Sequence, residues 1–198
     1  MLRPSAKAAI LALLLGSLGA GTSWAQPMVQ IERTGEAYRI NVRLPVQSDR
    51  QTAWAVLTDY DNLFKFVPGM RSSRILSAPG EPKLLEQKGE SGLGFVRVST
   101  ESVSRLRETP LQSIQFELVS GNLKSMRGEW SIEGHDHAVV LAYRADITPG
   151  FPLPPLIGPA VLSQNIRSMV EGVGKEIGRR TAPQAPQSKP TAGGGAER

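Results

Sequence analysis

Thr52-Ala53-Trp54-Ala55-Val56-Leu57-Thr58-Asp59-Tyr60-Asp61-Asn62-Leu63-Phe64-Lys65-Phe66-Val67-Pro68-Gly69-Met70 is the densest aromatic run in a chain of 198 residues that is only 6% aromatic. Ser48 or Asp49 stands where a short side-chain oxygen can accept one of the N–H groups left over in a first helical turn. Trp54 and Leu57 fall three apart, with Ala53 and Val56 beside them, so one side of a short helix is apolar and has to be buried. Asp59 and Asp61 bracket Tyr60 in a break, as turn and capping residues. A second helical turn, roughly Asn62 to Phe66, ends at Pro68-Gly69, where proline removes a donor and glycine permits a reversal.

Strand patterns lie on both sides of this run. Before it, Tyr38, Ile40, Val42 and Leu44 alternate with Arg39, Asn41 and Arg43, the two-residue period of a strand with one buried face. After it, Ser72 to Ser77 and Lys83 to Lys88 flank the breakers Ala78-Pro79-Gly80-Glu81-Pro82 and read as a hairpin. Gly89-Glu90-Ser91-Gly92-Leu93-Gly94 is expected to be a turn or bulge. It is no nucleophile elbow, because Leu93 stands where a second glycine is required, and no phosphate loop, because a strand pattern follows it instead of a helix. Phe95 to Arg105 places Val96, Val98, Thr100 and Ser102 on one face, and its polarity predicts a sheet with a solvated side. Ile114, Phe116 and Leu118 alternate cleanly, and Ser120-Gly121-Asn122 turns the chain into a strand with Met126, Gly128, Trp130 and Ile132 on one face. Gly128, between two large residues, is expected to give a curved sheet room to bend or a bound molecule room to approach. Val139, Leu141, Tyr143, Ala145 and Ile147 form the last strand.

Pro149-Gly150-Phe151-Pro152-Leu153-Pro154-Pro155 excludes a helix interior and predicts an extended crossover. Beyond it Ile157, Val161 or Leu162, Ile166, Met169, Val170, Val173 and Ile177 recur at three- and four-residue steps, opposite Gln164, Arg167, Glu171, Lys175 and Glu176. This is a long amphipathic helix. Burying six of its apolar side chains would contribute on the order of 10 kcal/mol, an upper bound. Gly172, Gly174 and Gly178 weaken it, or else make one face small for close approach. Seven strand candidates, an early helical insertion and a closing helix define an α+β domain.

The phrase from Ala53 to Leu76, Ala-Trp-Ala-Val-Leu-Thr-Asp-Tyr-Asp-Asn-Leu-Phe-Lys-Phe-Val-Pro-Gly-Met-Arg-Ser-Ser-Arg-Ile-Leu, resembles the opening of the polyketide cyclase/dehydrase and coenzyme Q-binding branch of the START-like (SRPBCC) superfamily. The likeness covers roughly residues 36 to 180. It implies a helix-grip fold, a curved antiparallel sheet around a long C-terminal helix. It also implies lipid binding in a hydrophobic cavity there, with lipids, sterols, quinones or polyketides as the kinds of molecule held.

The ends of the chain read differently from its middle. Arg3 and Lys7, the apolar run Ala8 to Leu18 and the small-x-small site Ser23-Trp24-Ala25 predict a signal peptide over residues 1–25, cleaved after Ala25, and hence a periplasmic domain over 26–180. From Thr181 no large apolar residue follows, so 181–198 is expected to be a disordered tail. The chain has no cysteine, which excludes disulfides and a lipoprotein anchor, so stability must come from packing. The formal charge is +5; without Arg3 and Lys7 a mild basic balance remains. Basic and acidic residues are interspersed and no basic run alternates with aromatics, so nucleic acid is not expected as a partner. Transient contact with an anionic membrane surface fits the balance.

The chemical inventory is thin. His135 and His137 sit in the turn Glu133-Gly134-His135-Asp136-His137 without further donors nearby, so no metal is expected, and no cofactor motif is present. No serine has a base beside it in the pattern. An enzyme would need a polar group inside the fold, for which Tyr143, Asn165 and Arg97 are the candidates. The reading therefore favours a periplasmic carrier of a hydrophobic small molecule, a lipid or quinone, over a cyclase/dehydrase-like enzyme or a ligand-free interaction module. The expected cavity wall is Trp54, Leu57, Tyr60 and Phe64 from the helical run, Met126, Gly128 and Trp130 from one strand, Tyr143 from the last, and Asn165, Met169 and Val173 from the long helix.

Overall fold

A computed structural model describes residues 25–93, 96–135, 137–151 and 158–182. The apolar run Ala8 to Leu18, the tail beyond Ala182, and Gly94, Phe95, Asp136 and the crossover residues 152–157 lie outside them. The elements are β1 (Met28–Thr34), β2 (Ala37–Val46), α1 (Arg50–Leu57), a 3₁₀ helix (Tyr60–Lys65), β3 (Met70–Ile75), β4 (Leu84–Leu93), β5 (Val96–Thr109), β6 (Ser113–Gly121), β7 (Leu123–His135), β8 (Ala138–Pro149) and α2 (Gly158–Thr181). All eight strands join one antiparallel sheet in the order β1-β2-β8-β7-β6-β5-β4-β3. The sheet curls around α2 without closing on itself, the helix-grip arrangement that the resemblance implies.

Local chemistry explains the helical connection between the two sides of the sheet. Asp49 caps α1 by accepting from the Thr52 backbone N–H at 2.7 Å, and Ala53, Val56 and Leu57 are buried. Asp59 accepts from Asn62 Nδ2 at 2.7 Å, and Asp61 from the backbone N–H of Ile75 at 2.9 Å, so the two acids hold the 3₁₀ turn and its exit into β3. Tyr60 donates to Glu108 Oε1 at 2.7 Å, which fastens the turn to β5.

α2 packs against α1, β1, β2 and β4. It buries Val161, Ile166, Val170, Val173 and Ile177. Gly172 and Gly174 sit on its packed side: a Cβ on Gly172 would stand 2.4 Å from the Phe66 carbonyl oxygen, and one on Gly174 would meet Leu44 Cδ2 at 2.6 Å. The glycines make this face small for close approach. At the C-terminal end Glu176 accepts from Arg179 (Nε, 2.7 Å) and Arg180 (Nε, 2.8 Å), while Arg180 Nη2 also reaches Asp59 at 2.6 Å.

Three details depart from the sequence reading. β1 is a strand the alternation did not reveal, an edge strand whose Val29 and Ile31 are only half-buried. Gly89 to Leu93 are not a turn but the end of β4, in register with β5 from Gly89↔Thr100 to Leu93↔Val96. β5 does have one solvated side, as its polarity predicts: Arg97, Ser99, Glu101 and Arg105 are exposed, while Ser102 and Ser104 on the other face are buried. Thr181 belongs to α2 and meets Ser48 Oγ through its own hydroxyl at 2.7 Å, so the helix takes the first residue expected in the tail.

Candidate ligand cavity

The concave face is filled unevenly. Where β2 and β8 meet α1 and the C-terminal half of α2, Ile40, Val42, Val56, Leu141, Val170 and Ile177 are almost wholly excluded from solvent. Toward β4–β7 the packing opens into a cavity of about 310 Å³. Its size is that of a small-molecule site. One wall is aromatic: Tyr143 on β8 lies between Phe116 on β6, with ring centroids 5.8 Å apart, and Trp130 on β7, at 4.8 Å. α2 contributes Val161, Leu162, Asn165, Ile166, Met169 and Val173, and the helical connection contributes Leu57, Tyr60, Leu63 and Val67.

The wall formed by β4 and β5 is different in kind. Gln87, Ser91, Thr100, Ser102 and Ser104 line it, between Leu85 and Leu106 on one side and Val98 on the other. Ser104 is only 2% exposed, and its Oγ has no hydrogen-bond partner among the described residues. The β5–β6 register shifts between Val103 and Ser104, where Ser120 and Leu118 are the successive partners and Val119 is the extra residue. A bulge of this kind re-aims side chains next to a site.

Two phenols border the cavity. Burial pushes the Tyr143 hydroxyl well above the usual phenol range. For Tyr60 burial acts first, and the hydrogen bond to the Glu108 carboxylate raises it further. Both therefore stay neutral and serve as donors. Charged residues at the boundary belong to the outer face of β4 by strand alternation: Lys88 lies 3.7 Å from Glu101, and Glu90 is held by Arg71 at 2.9 Å and Arg97 at 3.0 Å.

Of the residues expected at the site, Leu57, Tyr60, Met126, Trp130, Tyr143, Asn165, Met169 and Val173 are brought together on the cavity wall. Trp54 is half-buried and packs against the core beside it, and Phe64 points outward, 40% exposed, with Lys65 over its ring. Gly128 is covered: a Cβ there would stand 2.5 Å from Phe116 Cζ and 2.3 Å from the Arg144 carbonyl oxygen. The room it provides is taken by the Phe116 ring. Arg97, a candidate for chemistry, is outside on an exposed strand end, whereas Tyr143 and Asn165 are inside. The sequence reading missed Gln87, Ser102, Ser104 and Phe116. The available signal was the alternation that puts Thr100, Ser102 and Ser104 in line with Val98 and Leu106.

A broader groove of about 530 Å³ crosses the outer face of the sheet, lined by residues such as Arg39, Arg105, Arg127, Arg144, Glu117 and Asp146. Its exposed ion pairs, Arg39–Asp146 at 3.3 Å and Arg127–Asp146 at 3.4 Å, are solvated, so the interior cavity is the better place for an apolar ligand.

An open antiparallel sheet gripping one long helix over an apolar cavity defines a START-like domain. The chain belongs to the family described as polyketide cyclase / dehydrase and lipid transport, whose model matches residues 46–173. Similar solved structures include the Zhui aromatase/cyclase from Streptomyces sp. R1128, with 17% identity and a TM-score of 0.63 over 74% of this chain and 97% of that one. A START superfamily protein from Mycobacterium smegmatis has 17% identity and a TM-score of 0.56, covering 72% and 96% of the two chains. A STAR-related lipid transfer protein from Xanthomonas axonopodis has 10% identity and a TM-score of 0.57, covering 75% and 98%. At these identities the likeness is one of fold. No curated protein matches the chain by sequence.

Proposed function

We propose that this protein is a carrier that holds one hydrophobic small molecule, such as a lipid, a quinone or a polyketide-like compound, between the sheet and α2. The observation that carries this reading is the cavity of about 310 Å³ faced by Phe116, Trp130 and Tyr143 on one side and by Ile166, Met169 and Val173 on the other. Its inward hydroxyls and two amides can orient a ligand, and the carboxylate beside them, Glu108, is engaged by the Tyr60 hydroxyl and by Lys83. The family description names both lipid transport and cyclase/dehydrase activity. The enzyme alternative would rest on Tyr143 and Asn165, the two expected polar candidates that do reach the cavity.

The signal-like segment over residues 1–25 supports a periplasmic carrier, and an exported protein whose intact mass begins at Gln26 would agree with it. Mass spectrometry of the organic extract of protein purified from its own host's periplasm tests the carrier role. A single apolar species in stoichiometric amount is expected. An empty protein that turns over an aromatic polyketide and loses that turnover as Tyr143→Phe, with its fold kept, would instead make it an enzyme.

A further inference from the structure

The β4–β5 wall makes a stronger statement about the ligand than the aromatic wall does. A purely apolar guest would leave the Ser104 hydroxyl buried and unpaired, which is unfavourable for a polar group. Serine at this position is otherwise unfavourable, since the inner face around it is apolar, with Leu106 on the same strand, Leu85 opposite it on β4 and Ile114 on β6. Ser102 and Thr100 continue the same inward face at two-residue steps, so the unpaired hydroxyl stands at the head of a hydroxyl row and is not an isolated polar defect. The bulge at Val103/Ser104 sits at the same point of the wall. The charged groups near this wall are already engaged: Glu108, on the inward face of β5, accepts from Tyr60 at 2.7 Å and from Lys83 at 2.6 Å, and Lys88 and Glu90, which border the cavity from β4, pair with Glu101, Arg71 and Arg97.

Resting on the carrier reading, we infer that the ligand is an uncharged molecule bearing a carbonyl or hydroxyl oxygen on an apolar body, and that Ser104 hydrogen-bonds to that oxygen and selects for it. Ser102 and Thr100 line the approach to the same oxygen. A carboxylate head is disfavoured, because the nearby cations are already paired and Glu108 on the same inward face is itself an acid.

The test uses three probes of nearly equal size: 2-acetylnaphthalene, the hydrocarbon 2-isopropenylnaphthalene, and 2-naphthoate. Binding of each to the mature protein is measured by titration, for the wild type, Ser104→Ala and Ser73→Ala. Ser73 is the control: its Oγ is also buried and without a partner among the described residues, yet it is not on the cavity wall. The ketone is expected to bind the wild type about fivefold more tightly than the hydrocarbon, as one added hydrogen bond provides, and to bind more tightly than the carboxylate. Ser104→Ala should remove the ketone preference without weakening hydrocarbon binding, while Ser73→Ala keeps the preference. Equal binding of ketone and hydrocarbon by the wild type, or a preference that survives in Ser104→Ala, overturns this inference and leaves the carrier reading standing. Tightest binding of 2-naphthoate also overturns it. Binding of none of the probes overturns both.

Discussion

Gly172 and Gly174 lie two residues apart on α2, yet their neighbours differ in what can give way. At Gly172 the close atoms are the Phe66 carbonyl oxygen and Pro68 Cδ, backbone and ring that cannot swing aside. At Gly174 the close atom is the end of the Leu44 side chain, which can change rotamer. Alanine would add about 1 kcal/mol of helix propensity at either site. Gly172→Ala is therefore expected to destabilise the fold by about 2 kcal/mol net, as overpacking does, and Gly174→Ala to change stability by less than about 1 kcal/mol. Urea denaturation of the two variants measures this, and equal effects would contradict the assignment of Gly172 to the tight contact. Single residues were also where the sequence was hardest to read. Trp130, Tyr143 and Met169 were legible as site residues because large side chains fell on faces already required to be buried. Ser102 and Ser104 were not, because a serine carries no hydrophobic signal of its own, although Ser102 shares the face of Val98. Gly128 was assigned to the cavity floor, but the ring of Phe116, its register partner across the strands, occupies that space.

Elements with a long period were legible and short or polar ones were not. α2 could be read because its apolar residues repeat through 24 residues. β1 escaped because an edge strand buries one face only in part. The end of β4 escaped because its glycines suggested a turn. What the sequence did not hint at is the charge cluster at the end of α2, where Glu176 holds Arg179 and Arg180 on its own helix and Arg180 reaches across to Asp59 before the 3₁₀ turn. The Arg179 hydrogen bond, with help from Arg180, holds the Glu176 carboxyl down at about 2. Its folded value is thus lower than in the unfolded chain. The stabilisation is present above about pH 4.5 and is lost as pH falls toward 2. Near pH 6, Glu176→Gln should cost about 2 kcal/mol, and the difference from wild type should shrink as the medium is acidified toward pH 2. Thermal unfolding from pH 6 to pH 2.5 would show the two curves converging. Parallel curves would mean that the ionised Glu176 carboxylate does not stabilise the fold.

The whole molecule is solid on one side and hollow on the other. β2 and β8 close tightly on α1 and the C-terminal half of α2, while the sheet curving away through β7, β6, β5 and β4 leaves space that half-buried side chains border without filling. α1 and the 3₁₀ turn bridge the open span, from β2 beside one sheet edge to β3 at the other. A rigid half that fixes α2 and an unfilled half beside it are what a binding protein needs, and in a domain of this size such a void is costly unless something occupies it. If that void is a ligand site, Met126, on the cavity wall in β7 opposite Ile147, is placed to report it. The decisive measurement is a titration of the wild type and Met126→Trp with 2-acetylnaphthalene, alongside their melting temperatures. The account predicts one binding site in the wild type, a loss of affinity of at least about tenfold in Met126→Trp, and a melting temperature within a few degrees of wild type because the indole enters empty space. Unchanged binding by Met126→Trp, or a large drop in its melting temperature with no binding by the wild type, would contradict it.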